Sequence, residues 1–168
     1  DYVSRLCAKQ AKAAYEAALD MLADRDMTAS SLKSALLRRG FLAPVAESVC
    51  GRLTENRLID DRRFAGRFVE LRQDGHVGRY ALKRSLRAKG VDEETASEAL
   101  EQLDDSAQLE AATALARRLA RRYEGLEPRA ARDKLGQALA RRGYSWDIVR
   151  EAVGRAGLDD DACFDDTP

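Results

Sequence analysis

Three copies of one leucine–glycine pattern constrain the fold of this chain more than any other feature. Each copy has two leucines four residues apart and, four residues after the second leucine, a glycine followed by an apolar residue. The copies are Leu32-Leu36-Gly40-Phe41, Leu82-Leu86-Gly90-Val91 and Leu135-Leu139-Gly143-Tyr144. Leucines four apart lie on one helix face, and glycine readily takes the left-handed conformation that ends a helix. The pattern therefore predicts three helices that each end at a glycine corner, with the residue after the glycine packed back on the second leucine.

Further helices are predicted on both sides of each leucine pair from apolar residues three and four apart. The preceding helices carry Ala11, Tyr15, Ala18 and Leu22, then Phe64, Phe68 and Leu71, then Leu109, Ala112, Ala116, Leu119 and Tyr123. The following helices carry Ala46, Val49 and Leu53, then Ala96, Leu100 and Leu103, then Val149, Val153 and Ala156. Thr28, Asp60, Asp92 and Ser145 stand where helix N-caps are needed, whereas Pro44 marks the start of a helix with a weaker cap.

These patterns predict an all-α fold of three tandem three-helix repeats, with about nine helices in an elongated, curved array. No segment alternates polar and apolar residues over the length of a strand. The repeats are expected at residues 1–56, 57–105 and 106–157, followed by an acidic tail at residues 158–168. Because units of about 50 residues are marginally stable alone, stacking against a neighbour is expected to supply part of the stability.

The amino-acid composition and the distribution of charge limit the class of protein to which this chain can belong. The 168 residues are 45% apolar and 35% charged, with 29 basic side chains against 29 acidic ones. Five aspartates and no basic residue lie within 159–166, so the chain up to Leu158 carries a net charge of 29 minus 24, or +5. The tail is therefore predicted to be disordered. No apolar run approaches the roughly 18 residues of a membrane span, and no leader opens the chain, which favours a cytoplasmic protein without a membrane partner.

Three predicted helices expose basic side chains, which suit the recognition of phosphate or carboxylate groups. The candidate residues for binding a partner or DNA are Arg67, Arg72, Arg79, Lys83, Arg84, Arg87, Arg117, Arg118, Arg121 and Arg122. A solvated face, or ion pairs with acidic helices of the same chain, stays open as the alternative. The last four are expected on one helix, where the pairs 117/121 and 118/122 would place like charges one turn apart. Arg39, Lys89 and Arg142 are left out because cations in the last turn complement the helix dipole.

Sequence-specific DNA reading and catalysis have little support. Tandem homeodomain-like or Myb-like units would place their third helix in the major groove, but residues 92–105 carry seven acidic side chains and no basic one. No Gly-rich phosphate loop or nucleophile–base pair occurs, His76 is the single histidine, and the three cysteines lack CxxC spacing. We therefore predict no metal site, no cofactor and no enzymatic activity.

Four segments occur in an order and spacing that resemble the RecX family. They are the stretch from Leu22 to Phe41, Leu58-Ile-Asp-Asp-Arg-Arg-Phe-Ala65, Leu82-Lys-Arg-Ser-Leu-Arg-Ala-Lys-Gly-Val91 and Arg141-Arg-Gly-Tyr144. The resemblance covers about residues 15 to 156, and the Leu-Ile-Asp-Asp stretch with the Lys-Gly helix end is its most specific part. The family often has Gly-x-Gly-Pro where this chain has His76-Val77-Gly78-Arg79. Without that proline, the loop is expected to be more mobile.

The resemblance implies three tandem three-helix repeats and a non-enzymatic, cytoplasmic modulator of the RecA recombinase. Such a protein binds RecA, especially its filament on single-stranded DNA, and inhibits filament growth, ATP hydrolysis, strand exchange and coprotease activity. It thereby regulates homologous recombination, DNA repair and the SOS response. The chain is expected to act as a monomer. Weak direct contact with DNA stays open, and so does the alternative of a non-specific DNA-binding helical module without a recombinase partner.

Overall fold

The computed structural model describes residues 2–157, and over that range the chain forms nine α-helices and no strand. The helices are α1 (Tyr2–Asp24), α2 (Ala29–Arg38), α3 (Ala43–Glu55), α4 (Asp61–Glu70), α5 (Arg79–Ala88), α6 (Glu93–Leu100), α7 (Asp105–Ala120), α8 (Pro128–Arg141) and α9 (Trp146–Arg155). The predicted all-α class with three helices per repeat is confirmed. The acidic tail at 158–168 lies outside the described residues.

The glycine corners end the middle helix of each repeat, as the leucine–glycine pattern predicts. Gly40, Gly90 and Gly143 have φ angles of 88°, 81° and 88°. After the first two glycines the chain folds back, and the Phe41 and Val91 amides donate to the carbonyls of Leu36 and Leu86, at 3.2 and 3.1 Å. All six leucines of the pattern are at most 1% exposed: Leu32, Leu36, Leu82, Leu86, Leu135 and Leu139. Each leucine pair therefore forms part of the hydrophobic core.

Side-chain caps start the helices at three of the four predicted positions. The Thr28 hydroxyl accepts the Ser31 amide at 3.1 Å, and the Asp60 and Asp92 carboxylates accept the amides three residues on, each at 2.9 Å. Ser145 stands at the N-cap position of α9, but its side chain makes no capping hydrogen bond. The first residues of α3 include Pro44, and that helix also lacks a side-chain cap, as its sequence predicts.

The prediction that Leu71 lies on the buried face of its helix is wrong. α4 ends at Glu70, and Leu71 is 76% exposed. The fully buried residues of α4 are Ala65 and Val69, one position along from Phe64 and Phe68, which are half-buried. The helix is therefore rotated so that two smaller side chains reach the core and both phenylalanines lie at its border.

The helices divide into two compact units by their contacts, and the division cuts across the repeats. One unit holds the chain up to Arg67 together with Ser85–Ala99, and the other holds Phe68–Arg84 together with the chain from Leu100 onward. The first repeat thus shares a unit with parts of the second, and the third repeat shares a unit with the remainder of the second. The repeat boundaries at 56/57 and 105/106 and the elongated, curved arrangement stay predictions.

Each unit contains a junction at which the start of one repeat's middle helix meets the next repeat's glycine corner. In the first unit, a Cβ at Gly90 would overlap Ser30, and the Thr28 hydroxyl donates to the Lys89 carbonyl. The corresponding junction in the second unit places Gly143 against the backbone of Ala81, where a Cβ would again overlap. The Gly40 corner, in contrast, has open space around it. Two of the three glycines therefore serve both the helix end and the packing of successive repeats.

Candidate partner-binding and nucleic-acid-binding surfaces

Two of the predicted binding residues, Arg67 of α4 and Arg72 of the loop after it, make contacts within their own units. The Arg67 guanidinium donates to the Asp26 carboxylate at 2.7 Å. The Arg72 guanidinium lies 3.8 Å from the centre of the Phe68 ring and donates to the Phe68 carbonyl at 3.0 Å. Both cations thus have structural contacts, but Arg67 remains 61% exposed and accessible to a partner.

Arg79 is half-buried, whereas the sequence predicted an exposed position for it. Its side chain, 31% exposed, donates to the Leu100 carbonyl at 2.8 Å and to the Asp105 carboxylate at 2.9 Å. Its amide donates to the Gln108 side chain at 3.2 Å, a hydrogen bond that proline could not make at this position. Arg79 therefore links the start of α5 to α7 within the second unit.

The three remaining basic candidates of α5 differ in their accessibility. Arg84 is exposed, and Arg87 is exposed and paired with Glu93 at 3.3 Å. Lys83 is half-buried and has its own interaction partner. Arg84 is therefore the cation of this helix whose charge is most available to a ligand.

The arginine cluster predicted for one helix is only partly helical. Arg117 and Arg118 lie in the last turn of α7, but the helix ends at Ala120, so Arg121 occupies the C-cap and Arg122 follows it. The expected like-charge pairs 117/121 and 118/122 thus do not lie on a continuous helix. All four side chains are exposed, and Arg117 donates to the Arg155 carbonyl at 3.4 Å. The cluster presents four positive charges at the end of one helix, where they also complement the helix dipole.

Arg142, which the sequence predicts only as a partner of the helix dipole, also belongs to a group of basic residues. Arg142, at the C-cap of α8, lines a cleft together with Arg118 of α7 and His76 of the loop between α4 and α5. Periodicity within one helix could not reveal this group, because its three members come from three separate segments. The common signal was only that each is a basic residue next to a glycine corner or a helix end.

The loop that carries His76 is held by hydrogen bonds from two other elements of the second unit. The Tyr144 hydroxyl donates to the Gly75 carbonyl at 2.8 Å, and the Gln108 side-chain amide donates to the Val77 carbonyl at 3.0 Å. The Gly78 amide donates to the Arg142 carbonyl at 3.0 Å. These bonds argue against the greater mobility expected from the missing proline.

Three carboxyl and hydroxyl groups have shifted pKa values with structural causes. Burial raises the pKa of Tyr144 above its ordinary value. Burial also raises the pKa of Asp61, although the Ala29 amide donates to this carboxylate at 2.9 Å. Hydrogen bonds from the Thr95 amide and hydroxyl lower the pKa of Asp92, which agrees with its role as an N-cap. Asp61 lies near the Cys50 thiol, and its charge adds to the effect of burial on the pKa of Cys50. The causes of all three shifts are packing and capping.

Within residues 2–157, no group of three or more His, Cys, Asp or Glu side chains is arranged to hold a metal ion. Over the same range, none of the helices combines the length and the apolar character that crossing a bilayer requires. The Cys50 thiol is buried, and burial raises its pKa, which disfavours the reactive thiolate.

Three family models match the chain in succession. They describe the first, second and third three-helix domains of RecX and match residues 14–53, 60–100 and 106–153. The chain belongs to the RecX family. A regulatory protein RecX from Trichlorobacter lovleyi is 36% identical over 143 residues, which cover 82% of this chain and 91% of the relative. One from Amycolatopsis mediterranei is 32% identical over 163 residues, which cover 92% and 93%.

Solved structures of RecX proteins share the fold. The crystal structure of RecX from Lactobacillus salivarius superimposes with a TM-score of 0.79 at 27% identity, covering 90% of this chain and 99% of that one. A second crystal structure of a regulatory protein RecX gives a TM-score of 0.80 at 28% identity and covers 90% of this chain and 75% of the other. This chain is therefore a RecX-family regulatory protein built from three-helix repeats.

Proposed function

We propose that this protein binds a RecA recombinase and the filament that RecA forms on single-stranded DNA. Binding inhibits filament growth, ATP hydrolysis, strand exchange and coprotease activity, and thereby modulates homologous recombination, DNA repair and the SOS response. The observation that carries the proposal is the match of three successive RecX domain models across residues 14–153. The protein acts as a cytoplasmic monomer through binding instead of catalysis, without a cofactor.

The exposed cations of the second unit support a binding role. Arg84 presents its charge on α5, and Arg117, Arg118, Arg121 and Arg122 present theirs at the end of α7. Several modest contacts on one chain act as linked sites, so their combined affinity exceeds that of any single contact. A filament of repeated recombinase subunits on DNA offers repeated acidic and phosphate groups for such contacts.

A titration of recombinase ATPase activity tests the proposal. The cognate recombinase on single-stranded DNA is mixed with increasing amounts of the full chain, and the rate of ATP hydrolysis is measured. We expect the rate to fall at substoichiometric protein, because a regulator that limits filament growth acts on many subunits at once. An unchanged rate at equimolar protein rejects the proposal.

The alternative is a non-specific DNA-binding module without a recombinase partner, and the same exposed arginines favour it. It predicts that the affinity for duplex DNA falls steeply with salt, with a logarithmic slope of roughly 0.9 for each neutralised phosphate. DNA binding of this kind, together with an unchanged ATPase rate, would favour the alternative. A flat salt response of DNA affinity would reject it.

A further inference from the structure

A basic cleft of about 270 Å³ lies within the second unit, where three segments meet. The loop between α4 and α5 contributes His76, α7 contributes Arg118, and the corner after α8 contributes Arg142 and Tyr144. The wall formed by α7 is apolar and includes Leu115. The cleft therefore places three basic side chains next to an apolar wall.

The backbone around the cleft is fixed before any ligand binds. Gly75 has a φ angle of 75°, and a Cβ there would overlap the Ala107 carbonyl, so the loop packs directly on α7. The hydrogen bond from Tyr144 to Gly75 joins the same loop to the corner that carries Arg142. Because the three segments are already joined, binding a ligand costs little ordering of the main chain.

The two guanidinium groups of the cleft are not paired with a carboxylate among residues 2–157. Arg118 and Arg142 are exposed and make no ion pair within that range, in contrast to Arg67, Arg79 and Arg87. The acidic group next to the cleft is Asp74, whose carboxylate accepts the His76 amide at 3.1 Å and contributes to the raised pKa of Tyr144. Two guanidinium groups at one cleft repel each other unless an anion lies between them, and phosphate oxygens can accept hydrogen bonds from both.

We propose that this cleft binds one backbone phosphate of single-stranded DNA, with Arg118 and Arg142 donating to its oxygens and His76 at the rim. The proposal rests on the proposed function, which brings the protein to a filament on single-stranded DNA, and it names one DNA contact of that function. The apolar wall of α7 accommodates the deoxyribose next to the bound phosphate. A carboxylate of the recombinase is the competing ligand, and the experiment below distinguishes the two.

The test measures binding of the full chain to a fluorescent oligothymidylate as a function of salt. Arg118→Gln and Arg142→Gln are each compared with Arg141→Gln, which removes the same charge from an exposed position that does not line the cleft. We expect each cleft variant to bind about tenfold more weakly, as for the loss of a charge-assisted hydrogen bond. The logarithmic salt slope should fall by about 0.7 for the single-strand phosphate that is lost. Arg141→Gln should stay within about twofold of the wild type, since its side chain does not line the cleft and salt screens its exposed charge.

The double variant adds a second readout. Because both arginines hold one phosphate, Arg118→Gln with Arg142→Gln should weaken binding by much less than the product of the two single losses. Equal losses in all three single variants would overturn the proposal, because general electrostatic attraction would then explain them. Circular dichroism and thermal unfolding of every variant check that the fold is unchanged.

The recombinase ATPase titration, run on the same variants, separates this proposal from the proposed function. If the cleft variants keep their DNA affinity but lose inhibition, the cleft binds a recombinase carboxylate, and the phosphate proposal fails while the proposed function stands. If the wild type does not inhibit the recombinase but the cleft variants still show the selective loss of DNA affinity, the phosphate proposal stands and the proposed function fails.

Discussion

At the scale of single residues, the three glycine corners offer a graded test of the fold. Gly40→Ala should cost about 1–2 kcal/mol of unfolding free energy, because alanine is strained at a φ of 88° but meets open space. Gly143→Ala has the same φ of 88° and also overlaps Ala81, so we expect a further loss of about 1–3 kcal/mol. Urea unfolding of both variants measures the difference.

Gly90→Ala supplies the control for this comparison. Its Cβ would overlap the Ser30 side chain, whereas at Gly143 the overlap is with backbone. A serine side chain can rotate away, and a backbone cannot, so Gly90→Ala should fall between the other two variants. Equal destabilisation in all three would show that the corners do not pack against the preceding repeat.

Tyr144 links stability to alkaline pH. Burial raises the pKa of its hydroxyl in the folded protein, so the unfolded chain loses this proton first, at a pH of about 10. Above that pH, stability should therefore decrease as pH rises. Tyr144→Phe should remove this dependence and cost about 1–3 kcal/mol at neutral pH, because the buried Gly75 carbonyl loses its donor. The unfolding free energy of each protein is measured across pH 7–11.5, and the difference between the two curves isolates Tyr144 from other titrating groups. Identical slopes of the two curves above about pH 10 would contradict the predicted role of Tyr144.

At the scale of elements, the sequence predicts where helices lie better than which side of a helix is buried. The leucine pairs and glycine corners are local signals, and they locate α2, α5 and α8 correctly. In α4, Phe64 and Phe68 share the same spacing as Ala65 and Val69, so two adjacent stripes compete for the core. Packing against other helices selects one of them, and one helix's sequence does not contain that information.

Leu71→Ala tests which face of α4 is buried, and Leu86→Ala on α5 serves as the buried reference. Leu86→Ala should cost about 2–5 kcal/mol, because Leu86 is fully buried and its removal leaves a cavity. Leu71→Ala should change stability by less than about 0.5 kcal/mol, because Leu71 is 76% exposed. Guanidinium unfolding of the two variants measures both values. A large loss in Leu71→Ala would restore the sequence-based assignment of the buried face.

At the scale of the whole molecule, the sequence predicts some exposed cations of the candidate surfaces but not which residues they contact. Basic residues off the apolar stripes include several that the structure exposes, among them Arg84 and Arg118. Local patterns could not predict that Arg67 pairs with Asp26, 41 residues away. Nor could they predict that Arg79 donates to the carbonyl of Leu100 at the end of α6. Nor could they place Arg142 next to His76. Such pairings depend on how repeats stack, and stacking brings together residues that no local pattern relates.

If the protein binds the filament through several modest contacts, losing two of them should weaken binding more than losing one. Arg84→Glu and Arg121→Glu reverse exposed charges on α5 and at the C-cap of α7, both in the second unit, and neither side chain supports the core. Each should weaken binding to the recombinase filament about fivefold, the equivalent of roughly 1 kcal/mol for a surface charge contact. If the two sites contact the filament independently, the double variant should lose about 25-fold, because free energies of separate sites add. Fluorescence anisotropy on recombinase–DNA filaments measures the affinities, with Arg129→Glu as an exposed control of equal charge change. A double variant that binds as tightly as a single variant would mean that only one of the two surfaces contacts the filament. An equal loss of affinity in Arg129→Glu would mean that net charge, and not position, governs binding.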